Sequence, residues 1–113
     1  MRMHIQRMAL LFSVGLLLVG CASNHTRHQS GICEVHNTRM PKTTVPIHYG
    51  FSPCDERDLA RYSASKTAFP HAEESVGGGC IVPLFASRRA VIYTCDSCKT
   101  ARQQWEHDYD AKR

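Results

Sequence analysis

The chain has 113 residues, 14 Lys and Arg against 10 Asp and Glu, and 42% hydrophobic side chains, enough for one small domain and no more. Its charge is low, and Arg88-Arg89 and Lys112-Arg113 are the only adjacent basic pairs after residue 27, which excludes a nucleic-acid footprint. No Gly-x-Ser-x-Gly, no His-Glu-x-x-His and no carboxylate pair framed by His occurs, so the sequence offers no enzyme motif. His48, His71 and His107 are read as solvated surface groups.

Arg2 and Arg7 flank a short mixed stretch, and an apolar run follows from Met8 to Val19. This is a charged n-region with an h-region behind it. A dozen apolar residues fall short of the roughly 20 that cross a hydrocarbon core, so residues 1–20 read as a signal segment. Leu18-Val19-Gly20-Cys21 closes it and resembles the lipobox of bacterial lipoproteins. The resemblance implies a diacylglyceryl thioether on Cys21, cleavage before that residue and acylation of the new amine. Two or three acyl chains hold a protein on a bilayer much more firmly than one, at about 0.8 kcal/mol per buried methylene. Ala22 rather than Asp follows Cys21, which by the same resemblance implies the outer membrane, facing the periplasm.

Residues 21–31 are then the lipidated Cys and a polar, aperiodic tether, residues 32–109 a small α+β domain, and residues 110–113 a polar tail. Within the domain, Thr43 to Tyr49 is β-branched and aromatic and ends at Gly50, and Pro46 pushes this strand towards a sheet edge. Ser52-Pro53 reads as N-cap and first residue of a helix running to about Ala68, stopped by Pro70. Its apolar stripe is thin, with Leu59 and Tyr62 on one face and Ala60, Ala64 and Ala68 on the next row. Glu73 to Gly79 reads as a flexible turn; no Lys-Ser/Thr follows Gly77-Gly78-Gly79, so it is not a phosphate loop. Cys80-Ile81-Val82 and Ala90 to Thr94 read as the two strands of a hairpin. Beyond Cys98 a last helix is expected, with Ala101, Trp105 and Tyr109 on one stripe.

Small exported domains commonly add disulfides or a metal to a limited core. With Cys21 lipidated, Cys33, Cys54, Cys80, Cys95 and Cys98 remain, an odd number. Cys33-x-x-His36 and Cys95-x-x-Cys98 are two paired-ligand units that together make a Cys3His set suited to zinc, leaving Cys54 and Cys80 for one disulfide. The alternatives are a disulfide framework in which Cys33 pairs with Cys95 or Cys98, and a redox-active Cys95–Cys98 pair. A knuckle, then strands, then a helix carrying the second pair in its first turn resembles treble-clef and zinc-ribbon modules. The 58 residues between His36 and Cys95 depart from the usual spacing of about 12 to 20, with the Pro53–Ala68 helix as an insertion. The layout also resembles small bacterial proteins without a known activity. Two functions follow as expectations. One is a non-enzymatic, membrane-anchored envelope module braced by zinc or disulfides that meets a protein partner. The other is a metal-handling or thiol-redox lipoprotein using the same four residues.

Overall fold

The computed structural model describes residues 22–113; the signal segment, the lipobox and Cys21 lie outside them. In chain order the elements are β1 (Ser23–Asn24), β2 (Lys42–His48), α1 (Glu56–Ala68), β3 (Val76–Gly77), β4 (Arg89–Tyr93) and α2 (Asp96–Ala111). The strands form one sheet in the order β1-β4-β2-β3, and with two helices the fold is a small α+β one. Among the described residues no helix is long and apolar enough to cross a membrane.

The sheet centres on β2 and β4, which pair antiparallel with Thr43 opposite Ile92 and Val45 opposite Ala90. Side chains alternate between faces along a strand, so this register gathers Val45, Ala90 and Ile92 into one buried cluster, with Ile47 and Val76 packed against it. Strand β2 is internal in the sheet order, yet Pro46 keeps the edge character its missing N–H requires. The Ile47 N–H points to β4, bonding Arg88 O at 2.9 Å, so the neighbouring position 46 faces the other way. On that side β3 reaches β2 only from Ile47 onward, and no ladder bond is lost.

Three expectations are corrected. Cys80-Ile81-Val82 is not a strand: β4 pairs with β2, and Ile81 and Val82 stand exposed in the loop that leads to β4. The open flank of β2 is filled instead by Val76–Gly77, inside the segment read as a flexible turn. Gly78 is required there, because a Cβ would run into the Tyr49 ring and the Ile47 side chain. The polar stretch after Cys21 is also shorter than a tether of ten residues. Ser23 and Asn24 add to β4 in parallel, the His25 N–H bonds Val91 O at 2.9 Å, and the Asn24 carboxamide oxygen accepts from both the N–H and the hydroxyl of buried Thr26.

Helix α1 starts later than Ser52-Pro53 implied. Asp55 is its N-cap, with a reciprocal capping box to Asp58 that satisfies two of the end's unpaired donors at once. The helix buries no residue completely, as its thin stripe foretold, but Leu59 and Tyr62 point to solvent and the Ala60–Ala64 row turns inward. Ion pairs from Arg57 to Asp110 (2.9 Å) and from Arg61 to Glu106 (3.6 Å) tie it to α2. Helix α2 presents the expected stripe: Ala101 and Trp105 pack on the core, Tyr109 stacks on Trp105 at 5.0 Å, and Phe69 meets Trp105 at 6.2 Å.

The second and larger core cluster is Cys33, Met40, Phe69, Ala72, Cys95 and Cys98. Phe69 is its one aromatic side chain among the fully enclosed residues. Phe69→Ala is therefore expected to cost about 3–5 kcal/mol in chemical denaturation, whereas Leu59→Ala on the exposed face of α1 should stay within about 0.5 kcal/mol.

Candidate metal centre

Three of the six residues in that cluster are cysteines, so the core and the candidate ligand set are one object. The first ligand pair stands on a narrow hairpin. Ile32 bridges Arg39, the Met40 N–H bonds Gly31 O at 2.7 Å, the Cys33 N–H bonds Thr38 O at 2.8 Å, and the Asn37 N–H returns to Cys33 O at 2.7 Å. Asn37 closes the turn at φ 51°, a left-handed conformation that Asn adopts more readily than most residues. The turn sets Cys33 and His36 side by side.

The second pair is placed by the passage from β4 into α2. The Thr94 N–H bonds Pro41 O at 3.1 Å and the Cys95 N–H bonds His71 O at 3.0 Å, fixing the strand end against two other segments. Cys95 is the extended N-cap of α2 and Cys98 falls in its first turn, where the helix N-terminus favours negative charge. The order is thus a hairpin with the first pair, the central strands with α1 and β3 between them, and a helix with the second pair at its start.

The Cys33, Cys95 and Cys98 sulfurs and an imidazole nitrogen of His36 lie within 4.8 Å of one another. The Cys33 and Cys98 sulfurs are 3.6 Å apart, and His36 Nδ1 is 3.5 Å from Cys33, 3.3 Å from Cys98 and 3.8 Å from Cys95. Four ligands around zinc, with Zn–S about 2.3 Å and Zn–N about 2.0–2.1 Å, give edges of about 3.8 Å between sulfurs and about 3.6 Å from sulfur to nitrogen. The arrangement has the dimensions of a tetrahedral site. Cys33, Cys95 and Cys98 are 0%, 2% and 0% exposed, and His36 is half-buried. A sulfur separation of 3.6 Å is far beyond the disulfide length of about 2.05 Å, and all five cysteines of the described residues are free.

Three thiols this close do not ionise independently. Burial raises the Cys95 thiol, but this is outweighed by the Cys98 backbone N–H, the Thr38 hydroxyl and the Cys33 and Cys98 thiols, which hold it down at about 6. That N–H faces the sulfur without closing a full cap bond. Burial pushes Cys98 up to about 12 against the backbone N–H of His71, with Cys33 and the charge on Cys95 adding to the rise. The site concentrates negative charge on one sulfur and withholds it from another, the condition that a bound cation reverses.

His71 is the residue that sequence reasoning missed. Far from being a bare surface group, it is half-buried, its carbonyl and N–H serve Cys95 and Cys98, and its ring Nε2 lies 2.7 Å from Glu34 Oε2 beside Cys33. The Glu34 carboxyl is held below its usual range by its own backbone N–H and then by the His71 ring. The place of His71 after Pro70 announces only a helix end, so no local signal marks it. His48 and His107 are exposed. Cys54 and Cys80 are both exposed and free, so the anticipated disulfide between them is not formed. Cys54 instead lies over the Asp55 carbonyl at 3.8 Å, just before the α1 cap. No family model, no curated protein and no solved structure matches this chain.

Proposed function

We propose that this chain is an exported lipoprotein, anchored through Cys21 and facing the periplasm at the outer membrane, whose domain is a non-enzymatic binding or structural module built around one structural zinc ion. The observation that carries the metal reading is the cluster of Cys33, His36, Cys95 and Cys98, whose ligand atoms lie within 4.8 Å of one another with all three cysteines buried. Three soft thiolates and an imidazole select zinc among common divalent ions. Four protein ligands leave no position for water or substrate, which favours bracing over catalysis. Burial of all three sulfurs also weighs against the metal-handling or thiol-redox alternative, since exchange needs an accessible thiolate.

Elemental analysis of the protein purified from its own compartment tests the centre. One tightly held zinc per chain is expected; an absence of metal, or readily exchanged copper, would overturn it. The anchor has its own test. Cys21→Ser should abolish incorporation of a fatty-acid analogue and leave uncut precursor, and normal labelling of the Ser variant would sink the anchor and the localisation together.

A further inference from the structure

The strand directions give the sheet two different ends. Strand β4 runs from Arg89 towards Cys95, and β2 runs the opposite way, so the metal-centre hairpin and the start of α2 sit at one end. At the other end meet the last residues of β2, the loop before β4 and, because β1 is parallel to β4 with Ser23 opposite Ala90, the start of the described chain. Phe51, Ile81, Leu84 and Phe85 are 88%, 81%, 85% and 96% exposed at that end. Surface apolar residues scattered singly need no explanation, but a contiguous set marks an interaction site.

We infer that this end of the sheet is a bilayer-docking surface, in which the loop carrying Ile81, Val82, Leu84 and Phe85 enters the lipid interface beside the anchor while Arg88 and Arg89 meet headgroup phosphates. Four observations carry it. Phe85 is held at φ 61°, a conformation that strains a bulky side chain, in a loop whose Ile81, Leu84 and Phe85 side chains are exposed. Arg88 and Arg89 follow after Ala86 and Ser87, both exposed and neither in an ion pair among the described residues, a pairing of apolar wedge and basic rim that suits an anionic interface. The Tyr49 hydroxyl donates to Ser87 O at 2.6 Å and the Gly50 N–H to Gly79 O at 2.8 Å, so both ends of the loop are fixed to the residues that follow β2. Finally, Cys21 precedes Ser23 by two residues, at most about 7 Å of extended chain, and one surface depression joins Ser23 to Ile47, Tyr49, Pro83 and Ala86. The lipid on Cys21 would therefore bring a membrane to this end of the domain and to no other.

The inference rests on the anchor reading for how the domain reaches the bilayer, and its test separates the two. The full chain is reconstituted in vesicles of phosphatidylethanolamine and phosphatidylglycerol carrying a phospholipid with a photoactivatable group in its acyl chain, and the adducts and the acylation of Cys21 are mapped in the same sample by mass spectrometry. Adducts on the peptide containing Leu84 and Phe85 are expected. They should fall at least fivefold in Leu84→Ser/Phe85→Ser, which alters only side chains that are 85% and 96% exposed, and also in Arg88→Glu/Arg89→Glu. Adducts confined to the N-terminal peptide of an acylated chain would overturn the docking surface and spare the anchor. Loop adducts on a chain without acyl groups would overturn the anchor and keep the surface, and absence of both would overturn both. With a photoreactive leucine analogue at position 84, crosslinks from the loop to a second copy, or to residues 8–19 of the same chain, in place of lipid adducts would assign the surface to those occupants and overturn the inference.

Discussion

Replacing Cys98 by Ser is expected to release the metal and to lower the melting temperature sharply. Cys33 and Cys98 are 65 residues apart in sequence, and a metal that joins them closes most of the domain into one loop. Structural zinc in small domains supplies an apparent binding free energy of about 10–16 kcal/mol at neutral pH, as large as the whole stability of an ordinary domain, about 5–15 kcal/mol. Here nothing else stands ready to replace it, because the ligands make up half of the larger buried cluster and the other cluster has only three buried members. His36→Ala should behave in the same way, although His36 contributes little to the buried apolar surface. His107→Ala, on the exposed face of α2, should change neither metal content nor melting. Circular-dichroism melting paired with elemental analysis reads all three. If the centre were instead a set of disulfides, His36→Ala would be harmless, chelator would do nothing and reductant would loosen the fold. A folded, metal-free His36→Ala protein with its buried cysteines oxidised in pairs rules out the zinc centre.

That Cys33, His36, Cys95 and Cys98 could be grouped before the structure follows from how the cluster is built. Each pair is local, Cys33 with His36 over one turn and Cys95 with Cys98 in the first turn of a helix, so spacing alone records them. The Ala101, Trp105 and Tyr109 stripe is likewise a one-helix pattern that survives whatever the helix meets. What sequence could not supply was the choice among partners. Cys80-Ile81-Val82 has as good a strand composition as Thr43 to Tyr49, and only the antiparallel register of β2 with β4 decides between them. Val76–Gly77 and Ser23–Asn24 are two-residue strands, too short for composition to mark. They are extended because β2 and β4 each offer an open flank of backbone donors and acceptors, and pairing them costs less than leaving them bare. The α1 boundary turned on two acids three residues apart, Asp55 and Asp58, whose reciprocal bonds outweigh a Ser-Pro start. His71 was illegible for the same reason as the strand partners, since what it does is done by its backbone at a place reached only through the fold.

Zinc affinity should fall as the solution is acidified, and fall more steeply below about pH 6. Metal binding releases whatever protons the ligands still carry, so the slope counts them. Without a cation, burial pushes the Cys98 thiol up to about 12, so at neutral pH it is protonated and must surrender its proton to the metal. This alone lowers the affinity about tenfold for each unit of pH. Burial also raises Cys95, but the Cys98 amide, the Thr38 hydroxyl and the neighbouring thiols prevail and bring it to about 6, so at pH 7 it is largely ionised and costs the metal little. Below about 6 it takes up a proton, a second must be displaced, and the dependence from these two groups approaches a hundredfold per unit. The metal-free fold shifts in the same direction on acidification. A folded-state value below the ordinary 9.0 means that the Cys95 contribution to stability is complete above about pH 9 and is lost as the pH falls through about 6. The Cys98 contribution, with its value raised, is present below about 9 and is lost only as the pH rises through about 12. Acid therefore removes the metal and the Cys95 term together, while mild alkali strengthens binding. Competition against a chromophoric chelator between pH 5.5 and 8, corrected for the chelator's own protons, measures the slope. An affinity independent of pH across that window would mean that the thiols are already charged in the free domain, and would overturn the assignment of the withheld proton to Cys98.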